Sequence, residues 1–146
     1  MLRRRTPRFL RESKPTVQPK NARGLRRIIL NTIKKEGPEC DLNFIDTSLV
    51  TDMSYLFYDI DDFNGDISKW DVSNVRDMSY MFYGAKSFNQ PLNDWDVSNT
   101  IEKDSKINMI NMFLGAKSFK QSLDDWAIYK EVEGASTWSI DRILSL

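Results

Sequence analysis

Residues 67–75 read ISKWDVSNV, and residues 92–100, which start 25 positions later, read LNDWDVSNT. A second segment, DMSYMFYGAKSF at 77–88, returns as NMINMFLGAKSF at 108–119 and is preceded by DMSYLFY at 52–58. Near-copies that recur after 25 residues, or after 31 where the chain has an insertion, are typical of repeat proteins, in which each unit buries its apolar face against its neighbours. The sequence therefore predicts a stack of about three and a half repeats, which suits a binding scaffold better than a catalytic cleft.

Each repeat combines two apolar patterns with different periods. Trp70 and Val72 alternate with polar neighbours, which indicates a short inward-facing strand. The run from Val75 to Ala85 then places apolar residues at spacings of three, four and three, which is typical of one face of a helix. We therefore predict an α/β fold: a short leucine-rich-repeat-like solenoid with one short parallel β-strand and one helix per repeat of about 25 residues.

The chain is expected to divide into four segments. Residues 1–20, rich in Arg, Lys and Pro, are predicted to be a basic arm that is disordered or extended. Residues 21–37 hold apolar residues at helical spacing between Asn21, a good N-cap, and Gly37, and are predicted to form an N-terminal capping helix. The remaining segments are the repeat solenoid at 38–128, with an insertion near 101–106, and a C-terminal cap at 129–146.

The repeated motif resembles a known family. The copies at 64–88 and 89–119 share a tryptophan followed by Asp-Val-Ser-Asn, then Met, Met-Phe, Gly-Ala and Phe in the same order, with six extra residues before the Met in the second copy. This pattern is similar to that of the BspA-like leucine-rich repeats, also called the mycoplasma-type lipoprotein repeat, over roughly residues 40–128. The resemblance implies a solenoid and a role in adhesion or protein recognition, often at bacterial surfaces.

The composition argues against catalysis. The sequence has no histidine, which removes the commonest catalytic base and metal ligand, and its single cysteine, Cys40, lies between two acidic residues that disfavour a thiolate. The recurring Trp, Met and Phe positions fit core packing better than a ligand cage. We therefore predict no catalytic residue, no metal, no cofactor and no small-molecule substrate.

The outward side of the predicted strands is the first candidate surface. Asp46, Asp71 and Asp96 recur at one position of the repeat and would form a row of carboxylates. Three interpretations stay open: each Asp accepts hydrogen bonds from its own turn, the row binds a basic partner, or the row holds calcium. The predicted partner-binding residues of this face are Asp46, Ser48, Lys69, Asp71, Ser73, Asp94, Asp96 and Ser98.

The basic arm is the second candidate. Residues 1–35 hold 12 Lys and Arg and one acidic residue, whereas residues 36–146 hold 20 acidic and 9 basic residues. An Arg-rich arm of this kind can remain a solvated tail, dock on an acidic surface, or bind nucleic acid or an anionic membrane. The candidate anion-binding residues are Arg3, Arg4, Arg5, Arg8 and Arg11.

The most favoured function at this point is protein–protein recognition without catalysis, through the acidic strand face and with a partner that is itself basic. The alternative is a protein tethered to nucleic acid or an anionic membrane by its arm. No apolar stretch is long enough for a secretory signal or a membrane span, so we expect a cytoplasmic location, or the cell surface if an export signal has been removed.

Overall fold

The computed structural model describes residues 14–98 and 107–126. The predictions for the first 13 residues of the arm, for the insertion near 101–106 and for the C-terminal cap at 129–146 lie outside these residues. Within the described residues the chain consists of one helix followed by a series of turns that stack copy upon copy.

Helix α1 spans Ala22–Glu36 and covers the N-terminal end of the stack. The side chain of Asn21 accepts a hydrogen bond from the backbone N–H of Gly24, which caps the first turn. Gly37, at φ 95°, ends the helix, and its N–H donates to the carbonyl of Ile33. Leu25 and Ile29 are fully buried in the same apolar cluster as the repeats, so this amphipathic face closes the core at one end.

The prediction of one β-strand per repeat is wrong. Across residues 14–98 and 107–126 no strand forms, and parallel pairing is limited to isolated single-residue bridges, such as the one between Asp41 and Asp66. The physical reason is that the chain turns too often: the N–H of Trp70 donates to the carbonyl of Ile67, and that of Val75 to that of Val72. These local bonds use backbone groups that a strand would direct to its neighbours. The α/β solenoid is therefore not observed.

The prediction of one helix per repeat is also wrong. The run from Val75 to Ala85 forms successive turns, in which each local hydrogen bond spans three residues instead of the four of an α-helix. Tyr80, at φ 56°, and Gly84, at φ 68°, are left-handed and could not lie inside a right-handed helix. The three-four-three spacing arises because these turns bring the same apolar residues inward.

Successive copies are instead joined by alternate peptide groups of these turns. The N–H groups of residues 53, 55, 57 and 59 donate to the carbonyls of residues 77, 79, 81 and 83, at 2.8–3.0 Å. The N–H groups of residues 78, 80, 82 and 84 donate in turn to the carbonyls of residues 108, 110, 112 and 114, at 2.7–3.0 Å. The intervening N–H groups bond locally, so the backbone of these turns is satisfied without regular secondary structure.

The core consists of columns of like side chains, one from each copy. The indole rings of Trp70, Trp95 and Trp126 stack at centroid distances of 6.4 and 6.5 Å, with planes within 7° of parallel. A phenylalanine column, formed by residues 57, 82 and 113, stacks at 5.4 Å between neighbouring rings. All six side chains are buried, which confirms that the aromatic positions of the repeat are core and not a ligand cage.

Candidate binding surfaces

The acidic column, defined as Asp46, Asp71 and Asp96, lies at the start of a tight turn in each copy. In each case a carboxylate oxygen accepts the backbone N–H of the serine two residues later, at 2.9–3.0 Å. The same Asx-type turn forms at Asp52 and Asp66, outside the column. The local-turn interpretation therefore accounts for one oxygen of each carboxylate, and the second oxygen is left for another donor.

The N-terminal segment supplies such a donor to the first carboxylate. Val17 pairs with Ile45 in parallel register, which places Gln18 in line with the acidic column, one layer before Asp46. The side-chain amide of Gln18 donates to Oδ2 of Asp46 at 2.9 Å and to the hydroxyl of Ser48 at 3.3 Å. An Asp–Ser pair of this repeat can therefore hold its own turn and bind a donor from another segment at the same time.

All eight residues predicted for this face lie on turns and not on strands. Asp71, Asp96, Lys69, Asp94 and Ser98 are exposed. Asp46, Ser48 and Ser73 are half-buried. Within the described part of the chain, Oδ2 of Asp71 and Oδ2 of Asp96 receive no hydrogen bond of the kind that Gln18 gives to Asp46.

Hydrogen bonds favour the ionised form of two members of the column. The hydroxyl and the N–H of Ser48, together with the Gln18 amide, lower the pKa of Asp46. The hydroxyl and the N–H of Ser98 lower the pKa of Asp96. These donors offset part of the repulsion between like charges in one column, so Asp46 and Asp96 stay charged at neutral pH and can accept donors from a cationic or amide-bearing partner.

A second surface, which we call the tyrosine cluster, consists of Tyr55, Tyr58, Tyr80 and Tyr83. Tyr55 stacks on Tyr80 at 4.8 Å, and Tyr58 stacks on Tyr83 at 5.1 Å, with planes within 11° of parallel. Tilted contacts of 5.4 and 5.6 Å join the two pairs into a two-by-two array. Tyr55 is 46% exposed and Tyr58 is 38% exposed, so the array faces solvent and adds little to the core.

Two members of the cluster sit in a backbone conformation that disfavours large side chains. Tyr55 has φ 59° and Tyr80 has φ 56°, in the left-handed region. The third copy places Asn111 at the same position with φ 52°, and asparagine is one of the few residues that tolerates this region well. The first two copies thus carry a bulky residue where the backbone favours a small polar one.

Charged groups flank the cluster at both ends. The Asp59 carboxylate lies beside Tyr58, and its charge raises the pKa of that phenol. Its Oδ1 also lies close to Gly84, the residue that follows Tyr83. On the side of α1, the guanidinium of Arg26 donates to the carbonyls of Tyr55 and Leu56, at 2.7 and 3.2 Å. The cluster therefore combines aromatic rings with a nearby carboxylate and accepts an arginine at its edge.

The tyrosine cluster was not predicted from the sequence, because the apolar pattern of these segments indicated a helix in each repeat. One signal was available: the tyrosines recur at the repeat spacing in positions outside the apolar columns, and the third copy replaces them with Asn111 and Leu114. The left-handed backbone that groups them could not be read from this pattern.

Chemistry of other kinds has little support in the described residues. Cys40 is buried, and burial together with the charge of Glu36 raises the pKa of its thiol, which disfavours a reactive thiolate. No group of three potential metal ligands comes together among residues 14–98 and 107–126. Arg3, Arg4, Arg5, Arg8 and Arg11 lie outside the described residues, so their role stays a prediction.

Comparison with known proteins places the repeats in a family without assigned chemistry. A family model described as "Mycoplasma protein of unknown function, DUF285" matches residues 30–139. No curated protein matches the chain, and no solved structure matches it. A search of the described residues finds no helix that is long and apolar enough to cross a membrane.

Proposed function

We propose that this chain, which belongs over residues 30–139 to the Mycoplasma family of unknown function DUF285, is a non-enzymatic protein-recognition module. The family description assigns no activity, so the proposal rests on the surfaces described above. The acidic column, with its serines and the neighbouring Lys69 and Asp94, forms the proposed binding surface. The proposed partner is a protein segment that offers cationic or amide donors.

The contact between Gln18 and Asp46 is the observation that supports this proposal most directly. It joins two segments 28 residues apart, and its donor reaches both the carboxylate and the hydroxyl of one Asp–Ser pair. Asp71 with Ser73 and Asp96 with Ser98 repeat the same pair farther along the stack, in more exposed positions. A partner that extends the line of Gln18 along the column would meet the same chemistry at each step.

Charge supports a basic partner. Residues 36–146 hold 20 acidic and 9 basic residues, and the turn donors lower the pKa of Asp46 and of Asp96. Exposed ion pairs contribute modestly one by one, but complementary charge raises the association rate and disfavours acidic competitors. We therefore expect binding that weakens with added salt.

The test uses the double variant Asp71→Asn, Asp96→Asn. Asparagine removes the charge but keeps the turn, since Asn108 already forms the same turn with the N–H of Ile110 in this chain. The probe is a fluorescent lysine-rich decapeptide, whose binding to the full chain is measured by anisotropy at low salt. We expect an affinity loss of about tenfold, equivalent to about 1.4 kcal/mol.

The matched control is the double variant Asp41→Asn, Asp52→Asn. It makes the same change of net charge at two exposed turns outside the column. It should lose less than threefold in affinity. Equal affinity losses in the two double variants would show that only net charge matters, and would refute the proposed surface. An unchanged affinity in Asp71→Asn, Asp96→Asn would refute it as well.

The charge of the arm supports a second candidate function, attachment to nucleic acid or an anionic membrane. Residues 1–35 carry 12 Lys and Arg against a single acidic residue. The test compares the full chain with a variant in which Arg3, Arg4 and Arg5 are replaced by Ser, using a short DNA duplex and, separately, vesicles that contain phosphatidylserine. Equal binding by both proteins, or no binding at low salt, would reject this candidate.

A closer relationship to the BspA-like repeats is also proposed. The motif shared by the copies at 64–88 and 89–119 supports it. The relationship would concern the repeat sequence and its use in recognition, and not a strand in each repeat.

A further inference from the structure

The tyrosine cluster needs an explanation that stability does not provide. A non-glycine residue in the left-handed region carries backbone strain, and this applies to both Tyr55 and Tyr80. These two side chains bury little in return, since Tyr55 is 46% exposed and Tyr80 is half-buried. Residues with a strained backbone cluster at functional sites, and here the strained residues have large side chains that face solvent.

The cluster is also ordered before any partner arrives. Each ring is fixed by a stacked neighbour in the next copy and a tilted neighbour in its own copy. A preordered side chain loses less conformational entropy on binding than a free one. Tyrosine is, in addition, among the residues that contribute most to protein interfaces, because it joins a large apolar ring to a polar tip.

We propose that the tyrosine cluster is a second protein-binding surface and that it receives an arginine-bearing segment of a partner. This inference rests on the proposed function only in that both concern protein recognition, because it uses a different surface and a different kind of contact. The acidic column relies on charge, whereas the cluster relies on ring stacking and directed hydrogen bonds.

The geometry favours arginine over other side chains. Tyr55 and Tyr58 stand first in their columns, so one face of each ring is uncovered by any aromatic ring of the described residues. A guanidinium can stack on such a face and still donate hydrogen bonds in its own plane, which the ammonium of lysine cannot do. Asp59, beside Tyr58, supplies a carboxylate acceptor at the edge of the array.

Arginine binding at this edge already occurs within the chain. Arg26 of α1 donates through one nitrogen to the carbonyls of Tyr55 and Leu56. Both carbonyls lie on the side of the first copy that faces α1, and that of Tyr55 also accepts the N–H of Tyr58. The outer ring faces and the Asp59 carboxylate thus lie near a place where the chain already binds a guanidinium.

The test exchanges the cluster for the residues of the third copy. The variant Tyr55→Asn, Tyr58→Leu, Tyr80→Asn, Tyr83→Leu introduces the residues that the chain itself uses at 111 and 114, in the same backbone conformation. The probes are two labelled dodecapeptides of one sequence, in which every third residue is Arg in one peptide and Lys in the other. Binding to the full chain is measured by anisotropy at 0.3 M salt, where exposed charge pairs are largely screened.

We expect the wild-type chain to bind the Arg peptide at least fivefold more tightly than the Lys peptide. The cluster variant should lose at least tenfold in affinity for the Arg peptide while its urea midpoint stays at or above that of the wild type. Asp41→Asn, which lies outside both surfaces, should bind as the wild type does. Equal affinity for the two peptides, or an unchanged affinity in the cluster variant, would overturn the inference.

A single replacement, Tyr58→Leu, keeps the test decisive if the fourfold variant does not fold. It removes one open ring face from a residue with no left-handed backbone and should lower the affinity for the Arg peptide at least threefold. The lysine-rich decapeptide at low salt reports on the acidic column separately. If the wild-type chain does not bind that decapeptide, the proposed function is refuted and the inference about the cluster is not. If the wild-type chain binds the Arg and Lys dodecapeptides equally, the inference about the cluster is refuted and the proposed function is not.

Discussion

The indole N–H of Trp95 donates to the backbone carbonyl of Ile67 at 3.0 Å, across 28 residues of sequence and between two neighbouring copies. The same bond joins Trp70 to Leu42 at 2.9 Å. It recurs between Trp126 and Leu92 at 2.8 Å. The tryptophan column thus fills the core and also gives each of these carbonyls a second hydrogen bond, in addition to the one from the backbone N–H three residues later.

Replacement of Trp95 by Ala should remove both contributions. We expect a loss of about 3–5 kcal/mol in the free energy of unfolding, measured by urea denaturation. Trp95→Phe keeps most of the apolar volume and removes only one of the two donors to the Ile67 carbonyl, which keeps the N–H of Trp70. It should therefore cost less, with about 0.5–1.5 kcal/mol from the lost hydrogen bond. A loss below 1 kcal/mol in Trp95→Ala would contradict the central place of this ring.

Gly84→Ala should destabilise the protein through its backbone. Gly84 has φ 68°, and an added Cβ would lie 2.2 Å from Oδ1 of Asp59. The left-handed backbone alone should cost about 1–2 kcal/mol. The matched control is Gly115→Ala, at φ 78°, where the nearest atom to the added Cβ lies at 3.4 Å. We expect Gly84→Ala to have the lower urea midpoint, and the difference to vanish in an Asp59→Gly background.

Stability should fall in acid through the hydrogen-bonded carboxylates. The pKa values of Asp46 and Asp96 are lowered in the folded chain by their serine donors, and that of Asp66 is lowered because hydrogen bonds from Asn43 and Ser68 outweigh its burial. A lowered folded-state pKa contributes stability that is present above the unfolded value of about 3.9 and is lost as the pH falls through the folded value.

Urea midpoints should therefore be nearly constant from pH 7 to about pH 5 and decline below about pH 4. Asp96→Asn keeps the turn and removes the titrating group, so its decline should be shallower than that of the wild type. A midpoint that rises in acid would contradict the assigned direction of these pKa shifts.

The thiol of Cys40 should be unreactive in the folded protein. The side chain is 6% exposed, and burial followed by the charge of Glu36 raises its pKa. We expect modification by a disulfide reagent at pH 8 to be at least tenfold slower in the native chain than in urea. Equal rates in the two conditions would show that this part of the stack opens readily.

The repeat and its core were predictable because they follow from period alone. The tryptophan and phenylalanine positions recur from copy to copy, and the side chains of the two columns, at residues 70, 95 and 126 and at residues 57, 82 and 113, are all buried. The local backbone was not predictable in the same way. Inward residues at spacings of three and four occur on a helix and equally in successive turns, so the run from Val75 to Ala85 fitted both. The left-handed residues that distinguish the two are not visible in an apolar pattern.

The candidate surfaces also differ in how far they could be predicted from the sequence. The acidic column was predictable because Asp46, Asp71 and Asp96 keep one position of the repeat and precede a serine by two residues, a local signal. The Gln18 contact was not, since it depends on Val17 pairing with Ile45 across 28 residues. The tyrosine cluster was not predictable because it depends on left-handed φ angles at residues 55 and 80. Tyrosine disfavours such angles, so the residue types at these positions gave no sign of them.

The alternate peptide groups that join the copies all point the same way. In residues 77–84, four peptide units direct a carbonyl toward the preceding copy and an N–H toward the following one. Peptide dipoles of about 3.5 D that align in this way add up, as they do along a helix. The stack therefore has a macrodipole, with its negative pole at the first copy, and the guanidinium of Arg26 lies at that pole on the carbonyls of Tyr55 and Leu56.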